Sequence, residues 1–143
     1  MSTSRLLNVL ILLLATAAGC GGKPSVSGPQ NAEEFKSLTT LYYAIARNGE
    51  RPKDAADFKQ RIQGPLAPMA EKLKVIDAEG LFTSKRDGKP LVIVYGAPPA
   101  SAGPQEVVIH EQDGVDGKRL VGFATGNVEE VDQARFDQLT PKK

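Results

Sequence analysis

The sequence contains no tryptophan, one cysteine and one histidine among its 143 residues. A single cysteine cannot form an internal disulfide, and one histidine without a spare thiol cannot build a His/Cys zinc site. The sequence also lacks an excess of either charge, because its 18 Lys and Arg residues nearly balance its 17 Asp and Glu residues. This balance argues against a nucleic-acid-binding protein, which ordinarily carries a strong basic excess. The length predicts one domain.

Residues 1–19 are typical of a secretory signal. Arg5 supplies a positive charge, residues 6–14 form a short apolar run, and small residues follow over 15–19. The run is shorter than the roughly 20 residues that a membrane-spanning helix needs. We therefore expect residues 1–19 to direct export and to be removed.

The end of this signal, Ala17-Ala18-Gly19-Cys20, resembles the lipobox of bacterial lipoproteins. The resemblance implies cleavage before Cys20, a diacylglycerol on its thiol, and an acyl chain such as palmitate on the new amine. It implies a lipid-anchored protein of the cell envelope that faces the periplasm or the exterior. In the lipoproteins that this segment resembles, Asp directly after the cysteine favours retention in the inner membrane. Gly21 occupies that position here, so the resemblance favours the outer membrane. Ala17 replaces the usual Leu, and an ordinary signal with a coincidental cysteine is the alternative.

A polar segment separates this cysteine from the rest of the chain. Residues 21–30 are dominated by Gly, Ser and Pro, which predicts a flexible tether spanning about 15–20 Å. We expect the acylated Cys20 and its tether over 20–32, one globular domain over 33–139, and a short tail over 140–143.

Helical periodicity opens the predicted domain. Its apolar stripe consists of Phe35, Leu38, Leu41, Tyr42 and Ile45. Asn31 is the expected N-cap, and Asn48-Gly49 is expected to end the helix. Asp54 is expected to cap a second helix over 55–63, and Pro68 to begin a shorter third one.

The second half of the chain is typical of strands joined by tight turns. The predicted strands are a short one at Leu81–Thr83, a central one at Leu91–Tyr95, and three more at Glu106–Glu111, Arg119–Ala124 and Val128–Val131. Val75-Ile76 fits either a strand or packing beneath the sheet, and Asp132 is expected to cap a closing helix. This order predicts an α+β fold, with N-terminal helices packed on a small antiparallel sheet of three to five strands.

Catalytic motifs are missing from this pattern. Ser37 and Ser84 lie outside any Gly-x-Ser-x-Gly motif, and the thiol of Cys20 is expected to be acylated. His110 and Glu111 are strand neighbours that point to opposite faces, so they do not form an oriented pair. We expect His110 to make a local hydrogen bond, and we expect the protein to be no enzyme and to use no cofactor.

Two stretches resemble a known family. Ser84–Gly96 followed by Asp113–Gly117 resembles the C-terminal sheet of type II secretion pseudopilins, and Phe123–Val128 is similar to the closing hairpin of pseudopilin-like proteins from planctomycete-type bacteria. The resemblance spans roughly residues 33–139 and implies a shared globular fold. Pseudopilins polymerise through a retained apolar helix, whereas here that segment is expected to be removed.

A metal site follows from this resemblance rather than from spacing. Some pseudopilins bind calcium in the Asp-Gly loop, which implies Asp113 and Asp116 as candidate ligands. The sequence pattern of residues 113–117 equally suits a plain turn, because Asp and Gly favour turn conformations. This segment also lacks the ligand pattern of an EF-hand.

The expected function is a lipid-anchored envelope protein without enzymatic activity. It would contact the membrane through its lipid, act through an envelope protein partner, and bind no nucleic acid. The alternative is a small-ligand or calcium-binding module in which the loops over 96–105 and 112–117 form one pocket. A third candidate is a hydrolase with inward-pointing carboxylates of raised pKa.

Overall fold

The computed structural model describes residues 32–98, 100 and 102–141. The predicted signal, Cys20, most of the tether and the Asn31 cap lie outside these residues. Within the described part of the chain, no helix is both long enough and apolar enough to cross a membrane.

Helix α1 (Glu33–Ala46) carries the apolar stripe that its sequence indicates. Leu38, Leu41 and Tyr42 are completely buried, since residues at this spacing share one helix face. The N-cap position is occupied by Ala32, whose methyl group cannot accept a hydrogen bond. The helix ends just before Gly49, whose positive φ of 77° turns the chain away.

The two following helices confirm their predicted positions. Helix α2 (Ala55–Gln63) begins where the Asp54 carboxylate accepts the Asp57 N–H at 2.8 Å. Its Phe58 and Ile62 are buried, and the Phe58 ring lies edge-on to Tyr42 of α1 at 5.7 Å. Helix α3 (Ala67–Lys72) carries its proline in the first turn, where no N–H bond is lost.

Four antiparallel strands follow in sequential order. They are β1 (Val92–Ile93), β2 (Val107–His110), β3 (Lys118–Phe123) and β4 (Val128–Asp132). Helix α4 (Gln133–Leu139) closes the described chain, and the Asp132 carboxylate caps it by accepting the Arg135 N–H at 2.8 Å. The α+β class with a small antiparallel sheet is confirmed, with three helices before this sheet and one after it.

Two strand predictions are wrong. Leu91–Tyr95 is not a central strand, because only Val92–Ile93 forms β1 and it lies at the sheet edge. Short antiparallel connections place consecutive strands side by side, so the first strand of the series remains outermost. The predicted strand at Leu81–Thr83 is a 3₁₀ turn over Gly80–Phe82, followed by a single bridge between Thr83 and Pro90.

The sheet buries a different cluster on each face. Helix α1 covers one face so closely that a Cβ atom on Gly122 would stand 2.6 Å from Thr39 Oγ1. On the other face lie four buried residues beneath α4: Val107, Val121, Phe123 and Val131. The partly buried Phe136 and Leu139 of α4 pack against that second cluster.

Candidate functional site

The two acids proposed as calcium ligands lie in one loop between β2 and β3. Val115 and Lys118 exchange two backbone hydrogen bonds across Asp116-Gly117. Both central residues have positive φ, 52° and 73°, which is the type I′ geometry that Asp-Gly favours in hairpins. Asp116 is therefore part of a tight turn, as the alternative interpretation of its pattern predicts.

Asp113 is engaged differently from Asp116. Its carboxylate forms an ion pair with Lys89, and this contact raises the pKa of Lys89. Within residues 32–98, 100 and 102–141, no group of three or more Asp, Glu, His or Cys side chains is placed to hold a metal ion. Calcium in proteins takes about 6–8 oxygen ligands. The calcium site at Asp113 and Asp116 stays a prediction.

A buried carboxylate is the most unusual polar group of the domain. Glu111 is only 1% exposed. Its Oε1 accepts the Ser84 hydroxyl at 2.7 Å, and its Oε2 accepts the Leu120 N–H at 2.8 Å. Buried carboxylates require such partners, since an unpaired one is costly. Glu111 thereby holds the turn after Ser84 against β3.

A guanidinium completes this group, which we call the Glu111 cluster (Ser84, Arg86, Glu111 and Glu130). Arg86 Nε lies 3.6 Å from Glu111 Oε1, and its Nη2 lies 2.8 Å from a Glu130 oxygen. Its buried Nη1 has no hydrogen-bond partner among the described residues. The cluster joins the 84–90 turn to β3 and β4.

The turn after Ser84 is fastened at a further point. Asp87 accepts N–H bonds from Lys89 at 2.9 Å and from Gly114 at 3.0 Å. Burial acts to raise the pKa of Asp87, but these backbone donors outweigh it and hold that pKa below its usual value. The ionised carboxylate thus links the 84–90 turn to the loop after β2.

These groups are arranged for structure rather than for nucleophilic chemistry. The Ser84 hydroxyl donates a hydrogen bond to Glu111, and both residues are buried, so neither presents a reactive atom to solvent. Alternation along β2 could have revealed the carboxylate from sequence, because Glu111 lies two residues after buried Ile109 and faces the same side. In the local sequence pattern, Glu111 is notable only as the neighbour of His110.

His110 makes the local hydrogen bond that its strand position predicts. Its Nδ1 lies 2.8 Å from the backbone oxygen of Glu111, and its ring meets Phe136 edge-on at 4.9 Å. Burial lowers the pKa of His110, and the nearby Arg119 lowers it further, against the opposing Glu111 carbonyl bond. The imidazole therefore serves the contact between β2 and α4.

A shallow depression of about 250 Å³ lies beside the loop before β2. Tyr43, Arg51 and Glu106 are among its lining residues, and buried Arg51 forms an ion pair with Glu106. Residues 98 and 102–104 line it, but no residue of 112–117 does. This depression is therefore lined by only one of the two loops, and a pocket shared by the 96–105 and 112–117 loops stays a prediction.

The other prominent surface feature is the segment Lys74–Asp77 after α3, which we call the ridge. Lys74 adopts a positive φ of 57°, and the Val75 N–H returns to the Ala70 carbonyl at 3.0 Å, which ends the helix. The next residue, Ile76, is fully exposed. It lies between two depressions of about 360 and 410 Å³, both lined by Val75, Ile76 and Asp77. Val75-Ile76 thus forms no strand: Val75 is partly buried against the core, as the packing alternative predicts, whereas Ile76 is exposed.

No family model, curated protein or solved structure matches this chain. The lipobox and the pseudopilin resemblance therefore stay predictions that rest on their own motifs.

Proposed function

We propose that this protein is a lipoprotein of the bacterial envelope, anchored by acylated Cys20 with the outer membrane favoured, and that it acts through contact with a protein partner. The lipobox supports the anchor. The observation that carries the partner role is the open outer edge of β4, because an unpaired edge offers backbone donors and acceptors to an added strand.

Hydrogen bonding within the sheet defines that edge. Leu120 directs its N–H and C=O toward Glu111, with the Glu111 N–H bonding to its carbonyl at 3.1 Å. Its register partner on β4 is Glu130. In an antiparallel pair both partners point either toward or away from each other, so the N–H and C=O of Glu130 face outward. Among the described residues, β3 is the one strand that pairs with β4.

Charge on this edge indicates the kind of partner. Glu129, Glu130 and Asp132 are all exposed on β4. Like charges placed opposite each other destabilise a strand pair, so two copies of β4 are discouraged from joining. Glu130 already contacts Arg86 and Asp132 caps α4, so an added strand with basic side chains would place its charge opposite Glu129. We propose such a strand as the partner's contribution.

A catalytic role is less well supported than this contact role. The groups best suited to chemistry, Ser84, Glu111, Arg86 and His110, all make the internal contacts described above. The hydrolase candidate requires carboxylates facing a cleft, whereas Glu111 faces Ser84 and Leu120 in the interior.

The anchor is tested directly by processing and mass. Expression of the full chain in a diderm host should yield a product that begins at a triacylated Cys20, and a lipoprotein signal-peptidase inhibitor should block its cleavage. The Cys20→Ser variant should lose the lipid mass and keep residues 1–19, because the lipoprotein signal peptidase cleaves before a lipid-modified cysteine. A mature product with a free thiol at position 20 would overturn the proposed anchor.

The edge is tested by photo-crosslinking in the envelope. A crosslinking residue at Glu129 should capture one reproducible protein, and the same residue at Lys53 should not. Glu130→Pro and Glu130→Ala both remove the carboxylate, but only Pro removes the outward N–H, a change that edge strands tolerate. Capture should be lost in the Pro variant alone. Equal capture in both variants, or none at Glu129, would contradict the proposed role of the edge.

The ligand-binding alternative is supported by the depression that Tyr43, Arg51 and Glu106 line. Its calcium form rests on the pseudopilin-like pattern at Asp113 and Asp116. Calcium binding at Asp113 and Asp116 would raise the unfolding temperature, and the rise would grow with the calcium concentration relative to the dissociation constant. Thermal unfolding of the protein with and without calcium tests this, with Asp113→Asn as the comparison. An unchanged midpoint at millimolar calcium would exclude a calcium-stabilised loop.

A further inference from the structure

The ridge after α3 has a feature that the proposed partner role does not use. Ile76 is fully exposed, whereas the other large exposed apolar residues, Tyr43, Val92 and Val115, are between 37% and 39% exposed. Burying an isoleucine side chain favours a contact about ten- to a hundredfold. Ile76 therefore gains more from meeting an apolar phase than any of the others.

The position of this ridge relates it to the start of the domain. Ile76 lines the same depression as Glu33 and Glu34, which form the first turn of α1. Ala32, just before that turn, is 12 positions after Cys20. A chain of that length reaches about 43 Å at most. If Cys20 is acylated, as proposed above, the ridge lies on the side of the domain from which the lipid-bearing segment departs.

Charge around the ridge is balanced. Three of the surrounding carboxylates already contact lysines, in the pairs Glu33–Lys36, Glu34–Lys85 and Glu79–Lys59. The remaining charged residues nearby are Glu71 and Asp77 against Lys72 and Lys74, which cancel. A contact made here is therefore driven by apolar burial, and anionic lipid adds little to it.

From these observations we propose that the segment Lys74–Asp77 rests on the bilayer that holds the lipid anchor, with Ile76 entering the interface between headgroups and acyl chains. The inference rests on the proposed acylation of Cys20. The anchor keeps the ridge at high effective concentration next to the membrane, so one side chain suffices for a contact that it could not sustain alone.

The sequence contains no tryptophan, so a single introduced tryptophan reports on its own surroundings by fluorescence. In the acylated Ile76→Trp variant, reconstituted in protein-free phosphatidylethanolamine vesicles, emission should shift to the blue and be quenched by brominated acyl chains. Addition of phosphatidylglycerol should leave both effects unchanged. The matched control is Thr125→Trp, an exposed site beside Tyr43 and so near the opposite end of α1, which should show neither effect.

The unsubstituted chain gives a second readout. Trypsin should cleave after Lys72 and Lys74 more slowly when the acylated protein is on vesicles than when the Cys20→Ser protein, expressed without residues 1–19, is in solution. Cleavage after Arg47, toward the other end of α1, should be equal in both. The membrane contact would be overturned if cleavage after Lys74 were equal in both proteins and the emission of the Ile76→Trp variant were neither shifted nor quenched. The ridge would then be a surface for a protein partner instead.

The two proposals fail in different ways. A product without acyl chains on Cys20 overturns the anchor and the membrane contact together, and mass spectrometry detects this before any fluorescence is measured. An acylated Ile76→Trp product whose indole stays exposed to water on vesicles overturns the membrane contact alone.

Discussion

The two faces of the sheet are stabilised in different ways. On the first face, helix α1 contributes side chains that are themselves completely buried, among them Leu38, Leu41 and Tyr42. On the second face, α4 covers four buried strand residues although none of its own residues is buried. The first face is an interlocked core, while the second is a sheet surface shielded by a short, half-exposed helix.

This difference indicates where the stability of the domain lies. Interlocked packing makes each buried methylene count, because the surrounding atoms cannot fill the gap that its removal leaves. A helix that lies on a surface loses only part of its contacts when one side chain is shortened. The Tyr42 hydroxyl adds to the first face by donating to the Val94 carbonyl at 2.7 Å, and burial raises the pKa of Tyr42 to about 12.

The largest contrast should come from matched leucines. Leu38→Ala should lower the free energy of unfolding by about 3 kcal/mol, because it opens a cavity in the interlocked core. Leu139→Ala, on half-exposed α4, should cost less than about 1 kcal/mol. Urea unfolding of both variants measures the two losses. Similar losses would mean that α4 is as deeply packed as α1.

The polar end of the sheet should rank second. Glu111→Gln should cost about 2 kcal/mol, since an amide cannot accept both the Ser84 hydroxyl and the Leu120 N–H while balancing Arg86. Glu129→Gln is the control, because Glu129 is exposed, and it should leave the urea midpoint unchanged. A Glu111→Gln protein as stable as its parent would show that the Glu111 cluster is not important for the fold.

The closeness of α1 to β3 predicts a third, smaller effect. Gly122→Ala should cost about 1–2 kcal/mol, because its new Cβ meets Thr39 Oγ1 and Cγ2 at 2.6 and 2.8 Å. In a Thr39→Ala background both of those atoms are gone, and the same substitution should cost clearly less. A double-mutant cycle measures the difference. A coupling near zero would show that the two elements can separate without penalty.

The smallest predicted effect concerns pH and the second face. The folded state favours neutral His110, since its pKa is lowered below that of the unfolded chain, about 6.5. The unfolded state therefore binds more protons, and the stabilisation present above pH 6.5 is lost as the pH falls toward the lowered pKa. The difference between the unfolding midpoints at pH 7.5 and pH 5.5 should be smaller in the His110→Gln variant than in the parent protein. An identical pH response in both proteins would remove His110 from the contact between β2 and α4.

Much of the fold could be predicted from local patterns. The 3.6-residue period of α1, the Asp54 and Asp132 caps, and the turn residues of the hairpins all act over a few positions. Those features appear in the structure within a residue or two of their expected places. The Leu91–Tyr95 run misled because apolar residues at a sheet edge need be only partly buried: Leu91, Ile93 and Tyr95 pack against the core, while Val92 is 38% exposed.

The candidate site was harder to anticipate. Ser84 and Glu111 are 27 positions apart, and nothing in either local pattern indicates that they bond. The exposure of Ile76 is equally hard to predict from sequence, because a short apolar pair after a helix usually packs inward. Long-range partners and solvent exposure are set by how the elements meet.

Helix and turn positions, the near-neutral charge and the export signature can thus be read from the chain alone, because neighbouring residues or simple counts decide them. The edge position of β1 and β4, the buried Glu111 cluster and the exposed ridge at Ile76 arise only when distant segments pack together. Burial and pairing depend on which surfaces come into contact, and short stretches of sequence do not contain that information.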